Sequence, residues 1–199
     1  YLYPESGSNS AQIRQNISDG VTYANYTAHG SPDGWADPSF TVGQIPALQN
    51  DGKYGLLVGN CCSTSEYQVS ECFGEAILRA ANKGAVGYIG ASNSTYWDED
   101  YYFGVGVGAI AGDPPSYEET TLGNYDRVFH THGEPFGEWY TTTDQMIFAG
   151  NLAVTEGSAG SAEYYWEAYN LMGDPSLMVY FSEPPVMTVT FDPLLPLGS

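Results

Sequence analysis

The stretches Tyr26-Thr27-Ala28-His29-Gly30-Ser31 and Gly59-Asn60-Cys61-Cys62-Ser63-Thr64 decide the fold. Each follows a run that reads as a buried strand. Thr22 to Ala28 leads into the first, and Tyr54-Gly55-Leu56-Leu57-Val58-Gly59 leads into the second. Neighbouring parallel strands that end at one edge of a sheet set their C-terminal residues side by side. The two runs therefore bring an imidazole and a thiol to one place, as base and nucleophile of thiol-based hydrolysis require.

Cys61 and Cys62 compete for the nucleophile. Alternation along a strand sends them in opposite directions, so only one can face His29. Cys62 lies nearer the loop and the start of the next helix, which favours it. Cys61 still belongs to the strand and reads as a small buried hydrophobe. Gly30, next to the base, has no side chain, so its N–H can hold a developing oxyanion together with that of Cys62. Cys72 falls within a helical pattern and reads as core. His130-Thr131-His132-Gly133 has an HxH spacing, but no third ligand stands at a telling distance, which argues against zinc.

Outward from these segments the chain alternates strand and helix. Glu71 to Lys83 predicts a helix that buries Phe73, Ile77, Leu78 and Ala81 and is stopped by Gly84. Ala85 to Ala91 predicts a short apolar strand. A shorter helix is expected over Val42 to Gln49, and two more over Glu134 to Thr155 and Ala162 to Met172. Leu177 to Phe181 reads as a further strand. This rhythm implies an α/β fold with a mostly parallel sheet covered by helices on both faces. Pro184 and Pro185 break it, and Val186 to Phe191 alternates like an edge strand that opens a following β-domain.

Between Ser92 and Pro115 regular signals are poor, and Tyr96, Trp97, Asp98, Glu99, Asp100, Tyr101, Tyr102 and Phe103 follow one another. Rings mixed with carboxylates just past a strand end suit a loop that binds a cationic group. The formal charge of −19, from 24 acidic and five basic residues among 199, excludes a nucleic-acid partner and favours cationic ligands. No apolar run reaches the length of a membrane span. The three cysteines cannot all pair within the chain, so a disulfide framework is not expected. The start at Tyr1 reads as that of a processed piece of something longer.

Taken together, His29-Gly30 with Trp35-Ala36-Asp37-Pro38, the Gly59-Asn60-Cys61-Cys62 turn and Cys72-Phe73-Gly74-Glu75 resemble the gingipain family of cysteine peptidases. Gly87-Tyr88-Ile89-Gly90, Tyr96-Trp97, Glu99-Asp100-Tyr101-Tyr102 and Tyr164-Tyr165-Trp166-Glu167-Ala168-Tyr169 continue the likeness over most of residues 20 to 182. The doubled cysteine is similar to the lysine-specific branch rather than the arginine-specific one. The resemblance implies a caspase-like α/β/α sandwich over residues 1–182, then a linker and the first strand of an immunoglobulin-like domain over 183–199. It implies Cys62 as nucleophile, His29 as base and Gly30 in the oxyanion hole. Asp100 would recognise the substrate ammonium, Thr27 and Asn60 would line the pocket, and Trp97, beside Tyr96, would close over it. Structural calcium is implied, with Glu75 and the Tyr67 carbonyl as ligands, and so is secretion or a place on the bacterial cell surface.

In that family an acidic residue well upstream orients the base. Here only Asp19 and Glu5 precede His29 in that role, at an unsuitable spacing. An upstream fragment of the same precursor is therefore the expected partner, completing the sheet and covering its edge. Peptide substrates with Lys or Arg are implied. A caspase-like peptidase of other specificity, or an inactive binding module, is the alternative.

Overall fold

A computed structural model describes residues 9–108, 110, 123–125, 133, 135, 137, 140–180 and 186–190. Its first half holds helix α1 (Ser10–Asp19), strand β1 (Tyr23–Thr27), the small strands β2 (Gly30–Ser31), β3 (Gly34–Ala36) and β4 (Ser39–Thr41), and a 3-10 helix over Val42–Ala47. Then come β5 (Gly55–Asn60), α2 (Phe73–Arg79), β6 (Ala85–Ala91), α3 (Trp97–Val105), α4 (Thr143–Gly157), α5 (Ala162–Ala168) and β7 (Tyr169–Gly173). The main sheet has the order β1-β5-β6-β7, with β1, β5 and β6 parallel and β7 antiparallel at the far side. The expected mostly parallel α/β sheet is present.

Helices cover both faces, because β5 and β6 are apolar on both. Alternation along β5 divides them: Leu57 and Cys61 point into one core with Ile17, Trp35, Phe40, Phe73, Ile77 and Tyr88. Leu56 and Val58 point into the other, with Ile89, Phe103, Met146, Val154, Tyr165 and Tyr169. Phe73 anchors the first core, packing edge-on to Phe40 at 5.1 Å and Tyr88 at 5.4 Å between ring centroids. Fully burying such a ring stabilises by about 2–3 kcal/mol relative to leaving it in water.

Several elements differ from the sequence expectation. The helix expected over Glu71 to Lys83 is shorter, Phe73–Arg79, because Cys72 is its N-cap and Glu75 closes a capping box on the Cys72 N–H at 3.0 Å. Phe73 and Ile77 are buried as expected, Leu78 is half-buried, and Ala81, beyond the helix, is exposed. The segment read as an irregular loop contains α3, which starts with Asp98, Glu99 and Asp100 in its first turn, where carboxylates favour the helix dipole. The helix expected over Ala162 to Met172 stops at Ala168, and the next five residues instead form β7, pairing Tyr169 with Ala91 and Gly173 with Gly87.

In its turn α4 starts only at Thr143, where the Thr142 and Gln145 side chains form a capping box; Glu134, the expected start, lies outside the described residues. Of the strand expected over Leu177 to Phe181, only an isolated antiparallel bridge between Met178 and Thr142 is present, and Phe181 lies outside the described residues. Residues 186–190 form no strand and expose Val186 and Met187, while Phe191 is not among the described residues. His130, His132 and residues 181–185, with the expected boundary near 183, also lie outside them.

Candidate active site

The parallel pair β1–β5 sets the site. Its last register pair is Thr27 with Asn60, and His29 and Cys62 each lie two residues beyond it. Two strands running the same way thus end together and continue in step, which brings the His29 imidazole and the Cys62 thiol to the same edge. Gly30 follows the base under a tight constraint. A Cβ placed there would stand 2.6 Å from the Cys61 Sγ and 2.7 Å from the Cys62 carbonyl oxygen, so only glycine lets the two strand ends approach this closely. Gly30 faces Trp35 across β2–β3, and the Ala36 N–H bonds the His29 carbonyl at 3.0 Å. That pattern makes Gly30 and Trp35 a non-hydrogen-bonded pair, so the ladder leaves the Gly30 N–H free to serve the site.

The two cysteines differ in environment. Cys61 is fully buried beside Thr64, whose Oγ1 is 3.7 Å from its sulfur, and burial pushes its thiol well above the usual range. Cys62 is half-buried, and its sulfur accepts the Thr95 backbone N–H at 3.2 Å. Ser63, immediately after it, adopts φ 58°, a left-handed turn that carries the chain away from the strand. All three cysteines are free thiols, and Cys72 is buried in the core as its sequence position implies.

Asp100 lies in α3, buried, and among the described residues its carboxylate is held by hydroxyl groups. Thr95 donates to Oδ2 at 2.6 Å, while Tyr165 and Tyr169 reach Oδ1 at 3.1 and 2.9 Å. Burial pushes the Asp100 carboxyl up to about 6, against the pull of these hydroxyls. Among the described residues no cation pairs with it. Asn60 ties the cluster to both strands: its amide donates to the Asp100 carbonyl at 2.9 Å and to Thr27 Oγ1 at 3.4 Å, and its Oδ1 accepts from Tyr169. A buried, ionisable carboxylate with no counter-ion among the described residues attracts positive charge.

Trp97, 61% exposed at the start of α3, packs its ring edge-on to His29 with centroids 5.2 Å apart. Tyr96 is also exposed; its backbone is pinned by the Tyr165 hydroxyl, which accepts the Tyr96 N–H at 2.9 Å. The structure thus brings Thr27, His29, Gly30, Asn60, Cys62, Trp97 and Asp100 to one end of the sheet. It adds four residues that sequence reasoning missed: Thr95, Tyr165, Tyr169 and Tyr125. The Tyr125 hydroxyl meets Thr27 Oγ1 at 2.9 Å, and burial pushes it up to about 12. Thr95 follows the C-terminal end of β6, and strand-end position was the signal that could have found it.

Residues 2–180 match the family described as Peptidase family C25. The chain belongs to that family. It is 45% identical to Lys-gingipain W83 of Porphyromonas gingivalis over 188 residues, which is 91% of this chain and 10% of that protein. To Gingipain R2 of the same species it is 22% identical over 191 residues, 94% of this chain and 23% of that one. A solved structure described as a protease superposes with a TM-score of 0.84 at 42% identity, covering 96% of this chain and 42% of the other. The Arg-specific cysteine proteinase gingipain R shares the fold with a TM-score of 0.68 at 20% identity, over 90% of this chain and 37% of that one. The chain spans about a tenth of the length of Lys-gingipain W83.

The remaining expectations fall differently. Asp19 sits at the end of α1, where its carboxylate accepts the Gln15 amide at 2.8 Å, and Glu5 lies outside the described residues. Glu75 spends one carboxylate oxygen on the α2 cap, and Tyr67 is exposed in the loop after Cys62. Calcium takes six to eight oxygen ligands. Glu75 and the Tyr67 carbonyl would supply two of these, with further carbonyls and water to make up the rest. No helix among the described residues is long and apolar enough to cross a membrane.

Proposed function

We propose that this chain supplies the catalytic centre of a cysteine endopeptidase that cleaves after Lys. The observation that carries this reading is the joint placement of His29 and Cys62 past the Thr27–Asn60 pair, with the buried, uncompensated Asp100 carboxylate next to them. His29 takes the Cys62 proton, and the thiolate attacks the carbonyl carbon of the scissile bond. The Gly30 and Cys62 N–H groups hold the oxyanion, His29 protonates the leaving amine, and water then releases the acyl-enzyme.

Asp100 binds the ammonium of the residue before that bond. A compact carboxylate suits the point charge of Lys, whereas the flat fork of Arg asks for two aligned acceptors, and here Thr95, Tyr165 and Tyr169 already occupy both carboxylate oxygens. The relatives named for Lys, at 42% to 45% identity, support the same preference. Secretion and an associated upstream fragment belong to this reading and rest on the family likeness.

A Lys-directed peptidyl chloromethylketone, followed by mapping of the modified peptide, tests the assignment. Label on Cys62, with an Arg analogue reacting at least about tenfold more slowly, is the expected result. Label on Cys61, or equal rates for Lys, Arg and Asp analogues, would sink it.

A further inference from the structure

Among the described residues, Thr95 touches both the nucleophile and the buried carboxylate. Its backbone N–H lies 3.2 Å from the Cys62 sulfur, and its hydroxyl donates to Asp100 Oδ2 at 2.6 Å. The same hydroxyl stands 3.8 Å from the sulfur, and the Thr95 carbonyl 3.7 Å from it. Thr95 has no helix or strand of its own to hold it; it lies between β6 and α3, in a half-buried turn. Its neighbours are tied down, Ser94 by the Tyr164 hydroxyl on its carbonyl at 2.7 Å and Tyr96 by the Tyr165 hydroxyl on its N–H, while the side chain of Thr95 itself is fixed by its bond to Asp100.

We propose that Thr95 is a positioning residue that couples the cation-binding pocket to the nucleophile, its hydroxyl anchoring on Asp100 so that its N–H donates to the Cys62 thiolate. This rests on Cys62 being the nucleophile and Asp100 lying in the pocket. The N–H bond strengthens as charge gathers on sulfur, because a hydrogen bond to an anion is stronger than one to a neutral thiol. The carboxylate then has two duties. It binds the substrate cation from one side and, through Thr95, aligns a donor on the reacting atom from the other. Among the described residues the titratable groups that act on Cys62 are Cys61, its chain neighbour turned to the other side of the sheet, and Tyr164, from α5, with His29 at the neighbouring strand end.

Iodoacetamide tests the coupling, because it is small and uncharged and makes no use of the cation pocket. Its rate with Cys62 is followed against pH in the intact protein, with modification sites mapped. Thr95→Val keeps the size and the backbone N–H but loses the anchor. Cys62 alkylation at neutral pH should fall about tenfold, with its pH midpoint moving up, and kcat on a Lys peptide should fall with it while KM stays within about twofold. Thr95→Ser restores the hydroxyl and should return both within about twofold of the parent. Should the Val variant fail to fold, Thr95→Ala carries the same expectation. A Val or Ala variant with the parental rate and midpoint overturns the coupling, as does a Ser variant no better than Val. If Cys62 of the parent is not the thiol that reacts, the nucleophile assignment itself fails, and this inference with it.

Discussion

Cys61 and Cys62 are neighbours in sequence, yet they belong to opposite sides of the sheet. On the Cys61 side, α1, α2 and the small β2–β4 sheet build a core of stacked and edge-on rings in which Trp35, Phe40, Phe73 and Tyr88 all meet. There a thiol is one more small apolar group, and its loss of a proton is opposed by the lack of water. On the Cys62 side, α3, α5, β7 and the turn before α3 bring a buried carboxylate and three hydroxyl groups to the strand ends. The pleat of one strand thus separates a buried thiol from one that meets a hydrogen-bond donor, with an imidazole and a buried carboxylate close by. Position along the chain differs by a single residue, and chemistry by the whole set of partners.

The sharpest way to break this contrast is to exchange the thiols. Cys62→Ala should lower kcat on a Lys peptide by at least about a thousandfold, whereas Cys61→Ala should keep activity within about threefold; the opposite ranking reverses the two roles. The charge on the Cys62 side is probed by Asp100→Ala. We expect kcat/KM for Lys to fall about a hundredfold or more, with little loss for an uncharged residue at the same position, read from a peptide panel.

That same carboxylate makes stability depend on pH. Its folded pKa, about 6, lies above the value of an unfolded Asp. Its contribution is therefore full below the unfolded pKa and is lost as pH rises through about 6, worth about 3 kcal/mol in all. Thermal unfolding without substrate should show the native protein losing stability between pH 4 and 7 relative to Asp100→Asn; parallel profiles would show that Asp100 ionises as freely as in water.

The smallest expected effects concern packing at the boundary between the two sides. Gly30→Ala sets a methyl against the Cys61 sulfur and the Cys62 carbonyl, so it should cost about 1–3 kcal/mol in denaturant melts. Cys61→Ala, which removes only a sulfur from a full core, should cost about 1 kcal/mol.

The strand ends were legible in the sequence because a buried parallel strand declares itself by an unbroken apolar run, and β5 and β6 both have one. The side of the sheet that carries the carboxylate was less so. In α3, Trp97, Tyr101, Tyr102 and Phe103 sit among acids without a clean apolar stripe, so the helix was hidden, although the acids of its first turn and Gly106 at φ 90° past its end are start and stop signals. Tyr169 was assigned to a helix because the aromatic run from Tyr164 continues through it. What overrides that pattern is the open edge of β6, which pairs with residues 169–173. Tyr165 and Tyr169 reach Asp100 across 65 and 69 residues of chain, and nothing local announces them.

The step-for-step pairing of β1 with β5 also governs which changes of length this chain can bear. Because the two strands run the same way, lengthening or trimming the surface turns between them leaves the distance from His29 to Cys62 untouched. A slip of β5 by one residue against β1 would instead exchange the two sides, turning Cys62 into the ring-filled core and Cys61 out to the edge. Length is thus cheap in the exposed turn at residues 51–54 and forbidden in the strand, and deletion scanning across residues 51–60 should show an abrupt boundary between the two.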